Sequence, residues 1–177
     1  SILCMDPYFQ GIGKGIPQIT PMCSIENTFE FPFLNDSLTD PLLTMGNVEI
    51  HQEAVVHYPG EVPTGAIFTL TATDNVTNVK LYNTRTGESM YINTTKLANL
   101  TGSSIIAGDE ITIDTNRGSK SITLLRDGVR TSILSCIDYD SDWFVIRPGD
   151  NLFAYTATIG ALYLQVQITN QVLYEGV

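Results

Sequence analysis

The chain has 177 residues, 43% of them hydrophobic and only 16% charged, which suits one domain with its own core and argues against a disordered chain. Nine Lys and Arg stand against nineteen Asp and Glu, and the net charge of −10 repels phosphate backbones and anionic lipid surfaces, so nucleic-acid and membrane-surface binding are not expected. No apolar run approaches the roughly 18 residues of a membrane-crossing helix, and the opening SILCMDPYFQ has neither the basic start nor the apolar body of a signal peptide. Starting on Ser1 rather than Met, the chain reads as a piece of a longer protein.

Residues 1–10 hold a short apolar strand, Ile2 to Met5, closed by Asp6-Pro7. Residues 11–24, rich in Gly and Pro and without periodicity, form a linker. Its GIGKG lacks the spacing and the Lys-Ser/Thr pair of a phosphate-binding loop. From Ser24 the pattern becomes β. Phe29, Phe31 and Phe33 share one face around Pro32, which suits an edge strand, and residues 35–43 form a polar loop. Val48, Ile50, Ala54 and Val56 keep one parity over a long strand ending at Tyr58-Pro59-Gly60. Ala66, Phe68, Leu70 and Ala72 alternate next. Val79 and Leu81 lead to a turn at Thr86-Gly87, and Met90 to Asn93 return. Residues 94–104 are polar and hold one helical turn at most.

The remainder is a series of hairpins. Ile111 and Ile113, then Ile122 and Leu124, face a core. Asn116-Arg117-Gly118 and Asp127-Gly128 supply residues that tolerate the positive φ of tight turns. Trp143 starts a strand, WFVI, that ends at Pro148-Gly149. In the last long strand Leu162, Leu164, Val166 and Ile168 point inward, and Tyr163, Gln165, Gln167 and Thr169 point to solvent. Turns recurring every roughly 8–12 residues, with no amphipathic helix and no internal repeat, predict an all-β, antiparallel β-sandwich or jelly roll of about eleven to thirteen strands.

Chemistry-bearing residues are sparse. His51 and His57 share the solvent face of one strand and are too few for a metal site. Asp138, Asp140 and Asp142 sit at the alternate spacing of a calcium loop, but the sixth and twelfth positions, Trp143 and Gly149, depart from the EF-hand pattern. Solvated carboxylates joining two strands are the plainer reading, and a weak calcium site is the alternative. Trp143 fills the core or its rim, or else stacks on a sugar ring, since a β-sandwich can present an exposed aromatic to a glycan. Tyr139, Tyr155 and Tyr163 are candidates for an exposed contact face. Cys4, Cys23 and Cys136 form neither a disulfide framework nor a zinc site and are expected to be free and mostly buried. The sequons at Asn35, Asn75, Asn93 and Asn99 are explained by chance. No nucleophile–base set, carboxylate pair or nucleotide fingerprint is present in the sequence, so neither enzymatic activity nor a cofactor is expected.

ILCMDPYFQ, HYPGEVPTG, GDEITIDTNRGSKSITLL, DYDSDWFVIRPGDNLFAYTA and the closing YEGV, in that order, resemble the distal tail proteins of long-tailed, non-contractile phages. The likeness is loose over residues 10–40 and closer from 46 to 177. It implies a galectin-like fold for the sandwich. It also implies a division into residues 1–10 as the last strand of a truncated N-terminal ring domain, 11–24 as linker and 25–177 as the C-terminal sandwich. The implied role is structural: the family's N-terminal domains form a hexameric ring at the tail tip, and the sandwiches project outward beside tail-tip and receptor-binding proteins. The ring domain is missing here, so this chain alone is expected to be a monomer and only the full-length protein a hexamer. The implied setting is a virion tail tip, assembled in the cytoplasm of a bacterial host from a virion or prophage gene. The alternative is a carbohydrate-binding module contacting a host cell-wall glycan through Trp143.

Overall fold

The computed structural model describes residues 8–10, 17–22, 24–27 and 48–175. Ile2 to Met5, GIGKG, Cys4, Cys23, the three phenylalanines around Pro32, the loop at 35–43 and Asn35 lie outside the described residues, as does the side chain of His51. Fourteen strands occur among the described residues. They are β1 (Phe9–Gln10), β2 (Gln18–Pro21), β3 (Ser24–Asn27), β4 (Val48–His51), β5 (Glu53–Tyr58), β6 (Ala66–Ala72) and β7 (Thr77–Asn83), then β8 (Ser89–Ile92), β9 (Glu110–Asp114), β10 (Ser121–Arg126), β11 (Val129–Ser132), β12 (Gly149–Ile159), β13 (Leu164–Asn170) and β14 (Leu173–Tyr174).

Two antiparallel sheets pack as a sandwich. One has six strands in the order β11-β10-β9-β6-β13-β2, and the other has four in the order β5-β12-β7-β8. Two ribbons, β1-β14 and β3-β4, stand apart from them. Alternation places the core: Phe68 and Leu70 of β6, Ile111 and Ile113 of β9, Ile122 and Leu124 of β10, and Leu164, Val166 and Ile168 of β13 are all buried, facing Val56, Leu81, Met90 and Phe153 of the smaller sheet. Phe68, Phe144 and Phe153 form a triangle with ring centroids 5.2, 5.3 and 5.6 Å apart, tilted or edge-on. Each fully buried ring contributes about 1.5–3 kcal/mol by area, and the edge geometry adds to it.

The turns form as their residues demand. Asp127 (φ 50°) and Gly128 (φ 78°) take the two left-handed positions of a tight β10–β11 hairpin.

Several expectations need correction. The long strand from Val48 to Val56 is two strands broken at Gln52: β4 pairs with β3, whereas β5 pairs with β12. Residues 94–104 hold more than one turn, because α1 (Thr94–Thr101) runs eight residues. Its polar composition hides its caps. The Asn93 side chain accepts from the Thr95 and Lys96 N–H groups, and Gly102, at φ 85°, closes the far end onto Ala98 O. WFVI is not a strand. Residues 142–148 alternate in burial, with Phe144 and Ile146 inside, but only Ile146 bridges, to Thr64. Alternation reports which side chains are inside, not whether the main chain has a ladder partner. Within residues 11–24, Gln18–Pro21 form β2, which pairs with β13 at the sheet edge.

Candidate interaction surface

The acidic run 138–142 lies along the outer side of β8. Ser89 and Tyr91 are the β8 residues whose main-chain groups point away from β7, since the H-bonded pairs of that ladder alternate with them. All four groups are satisfied. Tyr91 O accepts from Asp138 N–H at 3.2 Å and Ser89 O from Asp142 N–H at 2.7 Å. Tyr91 N–H donates to Ser141 Oγ at 3.1 Å, and Ser89 N–H to Asp142 Oδ2 at 3.2 Å. Two side chains thus stand in for the carbonyls of a missing strand, and an edge that would invite pairing is closed.

This arrangement determines what the three aspartates do. Asp138 Oδ1 binds Lys96 Nζ of α1 at 2.9 Å, and the same ammonium donates to Ile137 O at 3.2 Å. The hydrogen bond to Asp138 raises the Lys96 pKa above its ordinary value. Asp142 is turned back to β8, and Asp140 is exposed. Among the described residues, no group of three or more His, Cys, Asp or Glu is placed to hold a metal ion.

Trp143 is half-buried against the core, and the Lys120 ammonium lies 5.3 Å from its ring centroid. The indole is thus a rim residue with a cation near its ring rather than an open platform. Of the three tyrosines, Tyr139 and Tyr163 are exposed, but Tyr155 is buried and donates its hydroxyl hydrogen to Leu164 O at 2.8 Å. Tyr155 shares the parity of Asn151 and Phe153, which are buried with it, so the ring belongs to the core and not to an exposed contact face. Leu162, expected in the core, is exposed instead. The chain turns at Gly160 into a 3-10 turn at Ala161–Tyr163, and strand alternation starts only at Leu164.

Ile159 at the end of β12 and Leu162 and Tyr163 on that turn come to the surface within five residues, at 63%, 60% and 48% exposure. The turn is held firmly: Tyr163 O accepts from Thr73 N–H at 2.8 Å and from Thr73 Oγ1 at 3.0 Å. Three large apolar side chains are thus held outward within five residues of one another. His57 is exposed, as its parity requires, with Nδ1 2.7 Å from Asp150 Oδ1. Cys136 is a buried free thiol.

One structural site was not anticipated from sequence. Asp109, buried to 1%, receives Arg126 Nε at 2.8 Å and a second bond from Arg126 Nη2, while its Oδ2 also accepts from Ile106 N–H at 2.9 Å. The same guanidinium donates to Ser104 O at 2.7 Å and to Ser103 Oγ, fastening the loop after α1 onto β10. Burial of the charged pair is tolerated because nearly every donor has a partner. The only sequence signal is an Arg at the strand position where the inward alternation of β10 would continue.

The sequence profile of the family described as siphovirus-type tail component, C-terminal domain, matches residues 59–169. Among solved structures, a chain in "Structure of the Phage P2 Baseplate in its Activated Conformation with Ca" aligns with 86% of this chain at 8% identity and a TM-score of 0.45. The alignment covers 53% of that chain, so the present chain spans about half its length. No curated protein sequence matches.

Proposed function

The chain belongs to the siphovirus-type tail component family, matching its C-terminal domain; from that premise we propose that it is a structural component of a phage tail tip or baseplate, the outer domain of a distal tail protein, and acts as an assembly and protein-interaction module. In this reading residues 1–10 end a ring-forming domain, 11–24 connect, and 25–177 carry the sandwich, with β2 docked as its edge strand. The module works at the virion tail tip, beside tail-tip and receptor-binding proteins, and its role is positional rather than catalytic.

The observation that carries the reading is the end of β12 and the turn after it, which hold Ile159, Leu162 and Tyr163 outward from a sandwich with its own buried core. A glycan-contacting role for Trp143 has less support, because that ring is half-buried with Lys120 beside it. The test is the solution mass by light scattering of this chain alone and of the same chain with its upstream coding sequence restored. A monomer that becomes a hexamer supports an outward arm on a ring. Two monomers would detach the domain from that architecture.

A further inference from the structure

The sandwich treats its sheet edges unequally. The outer side of β8 is closed by residues 138–142. β2 and β5 lie against each other: Gln18 Nε2 donates to His57 O at 3.0 Å, and Pro21 removes one donor from β2. β11 has no such neighbour beyond β10 among the described residues. In the β10–β11 ladder the Ile133 N–H donates to Ile122 O, so the H-bonded pairs are Ile122/Ile133, Leu124/Thr131 and Arg126/Val129. The N–H and C=O groups of Arg130 and Ser132 therefore point away from the sheet. Side-chain parity places Arg130 beside Leu125 on the outer face, whereas Val129, 64% exposed, lies on the inner one. Arg130 makes no ion pair among the described residues, in a chain of net charge −10.

We propose that β11 is a docking edge to which another tail protein adds an extended antiparallel strand, one that presents a carboxylate opposite Arg130 and an apolar side chain beside Val129. The main-chain groups of Arg130 and Ser132 supply the ladder, and Arg130 and Val129 set the alternating acidic and apolar pattern of the incoming strand. Charge complementarity selects this partner: Arg130 is exposed on β11 without an ion pair among the described residues, and an incoming carboxylate gives it one. The proposal rests on the interaction-module reading above and names one surface of it.

The probe is a synthetic octapeptide alternating glutamate and valine, compared with its lysine–valine counterpart, titrated into this chain and followed by amide NMR and hydrogen exchange. The expected result is saturable binding of the glutamate peptide, with protection concentrated on the Arg130 and Ser132 amides. Ser132→Pro removes an outward donor and leaves the inner ladder intact, so binding should weaken about tenfold or more. Arg130→Glu, which keeps the backbone, should transfer the preference to the lysine peptide, and it decides the matter if the proline variant fails to fold. No protection of these two amides by either peptide overturns the proposal. So does concentration-dependent self-association through β11, which would make a second copy the occupant. Ring formation by the restored chain is scored separately: a hexamer whose β11 binds nothing overturns the edge and leaves the module reading intact.

Discussion

At Asp109 and Arg126 single side chains decide whether a loop is ordered. Asp109→Ala would leave the guanidinium with its donors facing a nearly dry site, and the cost is expected at about 3–5 kcal/mol, read as a lower urea midpoint with an unchanged slope. Asp109→Asn, which keeps an acceptor, should lose less; equal loss in both variants would show that charge, not hydrogen bonding, holds the loop. Tyr58 plays a comparable part at the other end, its hydroxyl donating to Val62 O at 2.8 Å and accepting from Leu173 N–H at 3.0 Å. Burial, above all, raises its pKa from 10.0. A group whose pKa is raised in the fold contributes stability that is fully present below the unfolded value and is lost as pH rises through the folded one. Thermal unfolding should therefore show a Tyr58 contribution that is constant from pH 7 to about 9 and declines above about 10. Tyr58→Phe should remove that decline and cost about 1–3 kcal/mol at neutral pH, because two partners lose their hydrogen bonds. An unaltered alkaline limb in Tyr58→Phe would assign the decline to other groups.

Elements, unlike single residues, depend on whether their edges and ends are satisfied. β8 is a four-residue strand whose outward groups are met by Ser141 and Asp142, so Ser141→Ala with Asp142→Ala should both destabilise and expose an edge. The expected loss is about 0.5–1.5 kcal/mol per hydrogen bond, accompanied by concentration-dependent association in light scattering. A destabilised variant that stays monodisperse would mean that the edge remains covered by the main chain of this segment. The same segment shows why the sequence was legible for some elements and not for others. β6, β9, β10 and β13 were readable because strict alternation of Ile, Leu, Val and Phe against Thr and Gln has one physical meaning, a sheet with one buried face. Residues 142–148 share that alternation without the ladder, so they imitate a strand in sequence. α1 is hidden in the sequence because its eight residues, five of them polar, are held by caps and by Leu97 alone in the core, and neither produces a periodic stripe. The aspartate spacing at 138–142 was visible, but its purpose was not: whether a carboxylate meets a cation or a strand edge depends on β8, some fifty residues upstream.

For the whole molecule, stability and assembly draw on separate surfaces, and that separation can be tested. The core that joins the sheets contains none of Ile159, Leu162 or Tyr163, which lie exposed at the end of β12 and on the turn that follows it. Replacing exposed side chains away from the packed interior changes folding free energy by about 0.5 kcal/mol or less. Leu162→Ser combined with Tyr163→Ser should consequently leave the unfolding midpoint nearly unchanged. In a hexamer formed by the restored chain, the ring should persist, because ring contacts belong to the upstream domain in the proposed architecture. What should fall is co-sedimentation with the neighbouring tail-tip proteins, since buried apolar anchors carry a disproportionate share of interface energy. Loss of the ring would place the 159–163 turn in the contact between copies instead. Unimpaired co-sedimentation with the ring intact would move the partner-binding role to another face of the sandwich, with the open edge at β11 as the next surface to alter.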